Sequence, residues 1–141
     1  MHTAVAITVR NHLSELERVG TVVEQFAAAH AIPARVAFEI NLALDEVLTN
    51  IISYGYDDGG EHAIHVSLSA DAGQLVVSVE DDGRAFNPLD APAPDVDQSV
   101  EARPIGGLGI HLVRKVMDGL EYARRQGKNH LVMKKAIVVD G

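Results

Sequence analysis

Two consecutive segments of this chain carry apolar residues at helical spacing, and the apolar runs that follow are mostly short and strand-like. That order limits the fold more than any single residue does. Val5 to Val9 alternates with β-branched residues and reads as a strand. Leu13, Leu16, Val19, Val23 and Phe26 then recur at helical spacing, with Asn11 as the expected N-cap. Ile32-Pro33 breaks this helix, and Pro33 suits the first turn of a second one over about Ala34 to Tyr54. Its core stripe is Ala37, Ile40, Leu44, Val47, Leu48 and Ile51.

Asp57-Asp58-Gly59-Gly60 is a turn signal. His62 to Ala70 and Gln74 to Glu80 are strand-like runs joined through Asp71-Ala72-Gly73, which predicts a hairpin. From Asn87 to Ile105 the periodicity stops, and four of the chain's five prolines fall there. A stretch this long inside a compact domain reads as functional, and the expectation is a mobile lid over about 87–107. Gly107 to Asp118 predicts a third helix, with Leu108, Leu112, Val113 and Val116 inward and Gly119 as its stop. Leu120 to Arg125 and Asn129 to Val139 predict a last hairpin turning at Gln126-Gly127-Lys128. Strand, two helices, hairpin, lid, helix, hairpin make an α+β two-layer sandwich. The expected sheet is mixed but mostly antiparallel, with three main helices on one face.

At 141 residues the chain is expected to be a single domain over 1–141. It has no cysteine, which excludes disulfides and thiolate metal sites. Residues Met1 to Arg10 do not read as a signal peptide, and no apolar run approaches the ~20 residues a membrane span needs. The formal net charge is −8, a poor match to a phosphate backbone. A cytoplasmic protein is expected, with a protein or small-molecule partner, no direct nucleic acid and no membrane.

Three short motifs carry the chemistry. Glu46 and Asn50 are four residues apart and share a helix face, near Glu39, Ala43 and Tyr54 and apart from the apolar stripe. Asparagine is a mediocre helix former, so its place mid-helix invites an explanation. The pair is either an ordinary solvated face or a site in which the Asn50 oxygen ligates Mg²⁺ and Glu46 acts as general base. Next, Val76, Val77 and Val79 run into Glu80-Asp81-Asp82-Gly83. This is either an acidic turn or a carboxylate placed to accept a hydrogen bond from an exocyclic amino group, with Gly83 letting the backbone approach a ring. Alternation puts Asp82 on the opposite face from Asp81.

Finally, Gly106, Gly107 and Gly109 open an amphipathic helix, as a hinge or as an anion site at a helix N-terminus. The spacing is neither GxxxxGK[ST] nor GxGxxG after a strand. Arg103 just before these glycines is placed to reach a γ-phosphate, with Arg84 and Lys115 as other candidates. His62 and His65 are three apart in a strand and face opposite ways, so no zinc site is read.

Asn41 to Asn50, Val79 to Pro88 and Ile105 to Val113, in this order, resemble the GHKL ATPase superfamily, which shares the Bergerat nucleotide-binding fold. Within it the chain looks like the anti-sigma-factor serine/threonine protein kinases, which are stand-alone histidine-kinase-like ATPase domains. The resemblance runs from the first strand to the last. It implies ATP and Mg²⁺ as ligands, Glu46 as catalytic base and Asn50 as the Mg²⁺ ligand. By the same resemblance Asp81 binds the adenine amino group, Gly83 packs near the base, and Gly107, Leu108 and Gly109 contact phosphates as the lid closes.

Two positions depart from the family pattern. Ala85 stands in the nucleotide motif where the family usually has a second glycine; if that position needs positive φ, alanine costs on the order of 1 kcal/mol. Lys128, Asn129 and His130 occupy a region where the family often has a threonine that contacts the site. The chain shows no phospho-accepting helical hairpin ahead of the domain, so a sensor histidine kinase is not expected. The resemblance implies an ATP-dependent serine kinase acting on an anti-anti-sigma (STAS-type) protein, a link to a sigma factor, and homodimers. The competing expectation is a nucleotide-gated binding switch without kinase activity.

Overall fold

The computed structural model describes residues 3–87 and 107–137. In chain order it contains β1 (Thr3–Arg10), a 3-10 turn (Leu13–Glu15), α1 (Leu16–Ala29), α2 (Ala34–Tyr54), β2 (Ala63–Asp71), β3 (Gln74–Asp81), α3 (Gly107–Val116), β4 (Gly119–Arg125) and β5 (Lys128–Ala136). The strands form one sheet in the order β1-β2-β3-β5-β4, and every described pair is antiparallel. The α+β two-layer sandwich expected from the sequence is the fold found. Most of the proline-rich segment for which a lid is expected, with Arg103 and Gly106, lies outside the described residues.

Period-2 alternation decides which side of the sheet is covered. Ile64, Val66 and Leu68 of β2, Leu75, Val77 and Val79 of β3, and Leu131 and Met133 of β5 are all buried. Their register partners align them on one face, and they share a single core with Val19, Val23 and Phe26 of α1 and with Val36, Ile40, Leu44, Val47 and Leu48 of α2. Val113 of α3 and the adjoining Met117 close the same core. Leu48 is 0% exposed. Leu48→Ala is expected to cost about 2–5 kcal/mol, from lost transfer energy plus the cavity left behind. Equilibrium denaturation in urea checks it.

Local chemistry explains the element ends. Asn11 is not a helix cap. His12 takes that position without a side-chain cap, and Asn11 instead bridges to the segment before β2. Its Nδ2 donates to the Gly60 carbonyl at 3.1 Å, and its Oδ1 accepts from the His62 amide at 2.9 Å. Pro33 caps α2 rather than opening its first turn. α1 ends with Ala31 at φ 54°, in the left-handed region, while the Ile32 amide bonds back to the Ala27 carbonyl at 2.9 Å. Alanine there costs on the order of 1 kcal/mol relative to glycine.

Gly119 opens β4 directly after α3. The carbonyl of Val116 near the end of α3 accepts from the Lys135 ammonium, whose charge suits the negative end of the helix. Among the described residues no helix is long and apolar enough to cross a membrane.

Candidate functional site

The end of β3 is where the covered face of the sheet stops being apolar. The alternation that buries Leu75, Val77 and Val79 continues to Asp81, and the alternation of Leu131 and Met133 runs back to Asn129. These two polar residues are register partners across β3 and β5. Among the described residues they are the two buried polar or charged residues, at 5% and 6% exposure. A buried carboxylate and a buried amide require partners, and here they partner each other. Asn129 Nδ2 donates to Asp81 Oδ1 at 3.1 Å and to the Arg84 carbonyl at 2.8 Å. Its Oδ1 accepts from the Tyr122 hydroxyl and from the Phe86 amide.

Asp81 Oδ1 also accepts from the Gly83 amide at 2.9 Å. Burial pushes the Asp81 carboxyl above the ordinary carboxylate range. The bonds from Asn129 and Gly83, and the Arg124 charge, pull it back part of the way. Arg124 Nη1 donates to the Gly83 carbonyl at 2.8 Å, which pins the turn after β3.

Beside this network lies a cavity of about 260 Å³. Val47, Ile51, Val79 and Leu131 form its apolar walls, and Asn50, Asp81, Arg84 and Asn129 supply the polar groups. Tyr54, Gly55, Phe86 and Tyr122 complete the lining. An apolar slot with a few convergent polar groups is the usual form of a small-molecule site, though the volume is near the lower limit of ~300 Å³. It suits a flat ring system. The charged remainder of a larger ligand must extend past it.

The sequence candidates fall unevenly around this cavity. Asn50 and Asp81 line it together. Glu46 is half-buried one helical turn before Asn50 and is not among the lining residues. Ala43, read as part of the polar stripe, is buried in the core. Glu39, near the same stripe, pairs with Lys135 Nζ at 3.2 Å and Arg35 Nε at 3.8 Å. Asp82 is exposed where Asp81 is buried, as alternation requires. Lys115 is exposed on α3. Gly107, Leu108 and Gly109 form the first turn of α3, and their side-chain surroundings lie outside the description.

Gly83 has a structural part beside the one the resemblance implies. It is not in the cavity lining. A Cβ there would stand 2.8 Å from the Gly55 carbonyl oxygen and 3.0 Å from Asp81 Oδ1. The same Gly55 carbonyl accepts from the Arg84 amide at 2.9 Å. The backbone of the 55–62 loop by itself therefore requires glycine here. Gly83→Ala should push these two segments apart, lowering stability by about 1–3 kcal/mol as overpacking does. A shift of the denaturation midpoint with unchanged slope tests this. Ala85 is not among the residues with positive φ, so the missing second glycine costs no backbone strain here.

Sequence reasoning did not assign Asn129, Tyr122, Arg124 and Phe86 to the site. For Asn129 a signal existed: counting back by twos from Met133 and Leu131 puts it on the covered face. Tyr122, Arg124 and Phe86 join through cross-strand register and a turn, which no local pattern encodes.

Comparison with known proteins places this geometry. The family model described as "Histidine kinase-like ATPase domain" matches residues 9–135. The serine/threonine-protein kinase BtrW of Bordetella bronchiseptica is 36% identical over 100 residues, covering 71% of this chain and 70% of that protein. The serine-protein kinase RsbW of Bacillus mycoides is 31% identical over 101 residues, covering 68% of this chain and 62% of the relative. Among solved structures, the RsbU and RsbW domains of a Mycobacterium tuberculosis protein superpose with a TM-score of 0.67 at 14% identity. That match spans 96% of this chain and 32% of the other. At that identity the likeness speaks for the fold alone.

Proposed function

The chain belongs to the histidine kinase-like ATPase domain family, and from that membership we propose that it is an ATP-dependent protein serine kinase of the anti-sigma-factor type. Its substrate is a serine of a small anti-anti-sigma (STAS-type) protein, and a sigma factor is a second partner that it sequesters. The names of the relatives support the activity. The observation that carries the nucleotide reading is the buried Asp81 in the lining of a mostly apolar slot, with one carboxylate oxygen held by Asn129 and Gly83. An exocyclic amino group of a purine donates to such an oxygen, and adenine has one where guanine has a carbonyl.

Among the described residues no three His, Cys, Asp or Glu side chains are grouped as a metal cage. The donor set suits an ion that takes one protein oxygen and fills its shell from water and phosphate, and Asn50 supplies that oxygen. When bound, Mg²⁺ would be held by Asn50 and would supply positive charge to neutralise the phosphates. Each other task falls to the chain. Asp81 orients the base, Val47, Ile51 and Leu131 exclude water from it, and Glu46 takes the proton of the attacking serine hydroxyl. Arg103 and the residues Gly106 to Gly109 receive the phosphates in this reading.

A second reading has its own observation. Glu46 stands outside the cavity lining, and a nucleotide-gated binding switch would not need it. Calorimetry with ATP and GTP, each with and without Mg²⁺, tests the shared part of both readings. ATP should bind with Mg²⁺ dependence and GTP at least tenfold more weakly. Equal binding of the two nucleotides overturns the base assignment.

A further inference from the structure

The loop between α2 and β2 forms one rim of the cavity through Tyr54 and Gly55. At its far end His62 is set between two carboxylates. Its Nε2 lies 2.8 Å from Asp58 Oδ2, within the same loop. Its Nδ1 lies 3.3 Å from Asp82 Oδ1, on the residue next to Asp81. The imidazole stacks on Tyr56 with centroids 4.2 Å apart and planes 12° apart. The Tyr56 hydroxyl is buried, in the fields of Asp81 and Asp82. The His62 backbone is fixed to β1 through both the amide and the side chain of Asn11.

We infer that His62 is a positioning residue for the base pocket, clamping the loop that carries Gly55 to the end of β3 that carries Asp81. The inference rests on the adenine reading of that pocket. A doubly protonated imidazolium donates to both carboxylates at once. A neutral imidazole has one N–H, so one ring nitrogen must turn its lone pair toward a carboxylate. The charged form closes the clamp and the neutral form loosens it. Through the clamp the Gly55 carbonyl stays against Gly83 and the Arg84 amide, which set the Asp81 end of the cavity.

The charged groups around His62 agree on the direction. The hydrogen bond to Asp58 is the largest influence, desolvation opposes it, and Asp82 adds a smaller pull in the same direction as Asp58, so the imidazole is held above its ordinary range. Tyr56 stays a neutral phenol, raised by burial and by the fields of Asp81 and Asp82. Arg10 and His12 face Glu61 instead, and Arg84 faces Asp57. A group whose value is raised on folding contributes fully below the unfolded value and loses its contribution as pH rises through the folded one. Base affinity should therefore be highest on the acid side and fall as His62 deprotonates.

Adenosine is the probe, because it has no phosphate to titrate in the same range. Its affinity is measured by NMR titration from about pH 5.5 to about pH 8.5, the range in which histidines titrate. Wild type should weaken about fivefold across that range, a coupling of ordinary size. His62→Gln should bind weakly with a flat profile. His62→Arg, a permanent cation that can also stack on Tyr56, should bind tightly with a flat profile. Asp58→Asn is exposed and outside the cavity lining, and it should move the wild-type midpoint to lower pH. It carries the test if His62→Gln does not fold. Parallel profiles for wild type and His62→Gln, or an unmoved midpoint in Asp58→Asn, overturn the clamp. Failure of wild type to bind adenosine at any pH overturns the adenine reading instead.

Discussion

Asp81→Asn is expected to weaken ATP binding by roughly 10- to 150-fold, the equivalent of about 1.5–3 kcal/mol for a hydrogen bond to a charged group. The geometry explains why so small a change matters. Oδ1 is already committed to the Gly83 amide and the Asn129 amide. An asparagine would keep its oxygen on those two donors and turn its amino group into the cavity. There it would meet the amino group of adenine, donor against donor. The fold should survive the change. Burial holds the Asp81 carboxyl above its ordinary range, so the ionised form is penalised in the native state. For a raised acid that penalty grows as pH rises from the ordinary value through the raised one, and it is full above both. Asparagine removes it. Stability near neutral pH should be unchanged or higher while calorimetric ATP affinity collapses, and that pairing separates a ligand contact from a folding defect.

Glu46→Gln is the second large effect, and it falls on a different quantity. The kcat for transfer to the protein substrate should drop by about 10²–10⁴, the ordinary worth of a positioned general base. ATP affinity should stay within about threefold, because Glu46 is absent from the cavity lining. It stands one helical turn from Asn50, which lines the slot. The two variants therefore divide the account: one loses the nucleotide, the other keeps the nucleotide and loses the chemistry.

The fold was readable because its signals are local. The apolar stripe of α2 predicts Ala34 to Tyr54, and the helix spans those residues. Both hairpins follow from turns whose Ala72-Gly73 and Gln126-Gly127 pairs take positive φ. The errors lie where a polar residue has a distant partner. Asn11 reads as a cap by local rules, yet its side chain serves a loop some fifty positions away. Ala43 reads as part of a polar stripe, but α3 and the sheet close over a wider arc of α2 than one apolar stripe indicates. No local rule shows that a Cβ at Gly83 would also press on the carbonyl of Gly55. Asp81 and Asn50 were legible as candidates, and both line the same cavity. Asn129 was visible by alternation, and its pairing with Asp81 needed the register of β3 on β5.

The most direct test is phosphate transfer itself. The protein is incubated with γ-labelled ATP, Mg²⁺ and candidate anti-anti-sigma-type proteins of the same genome, and the product is mapped by mass spectrometry. A single phosphoserine on one of them with wild type, and its absence with Glu46→Gln under saturating ATP, is the predicted result. Saturating ATP bound by wild type with no phosphate on any of them would contradict the kinase account and leave the nucleotide-gated switch in its place.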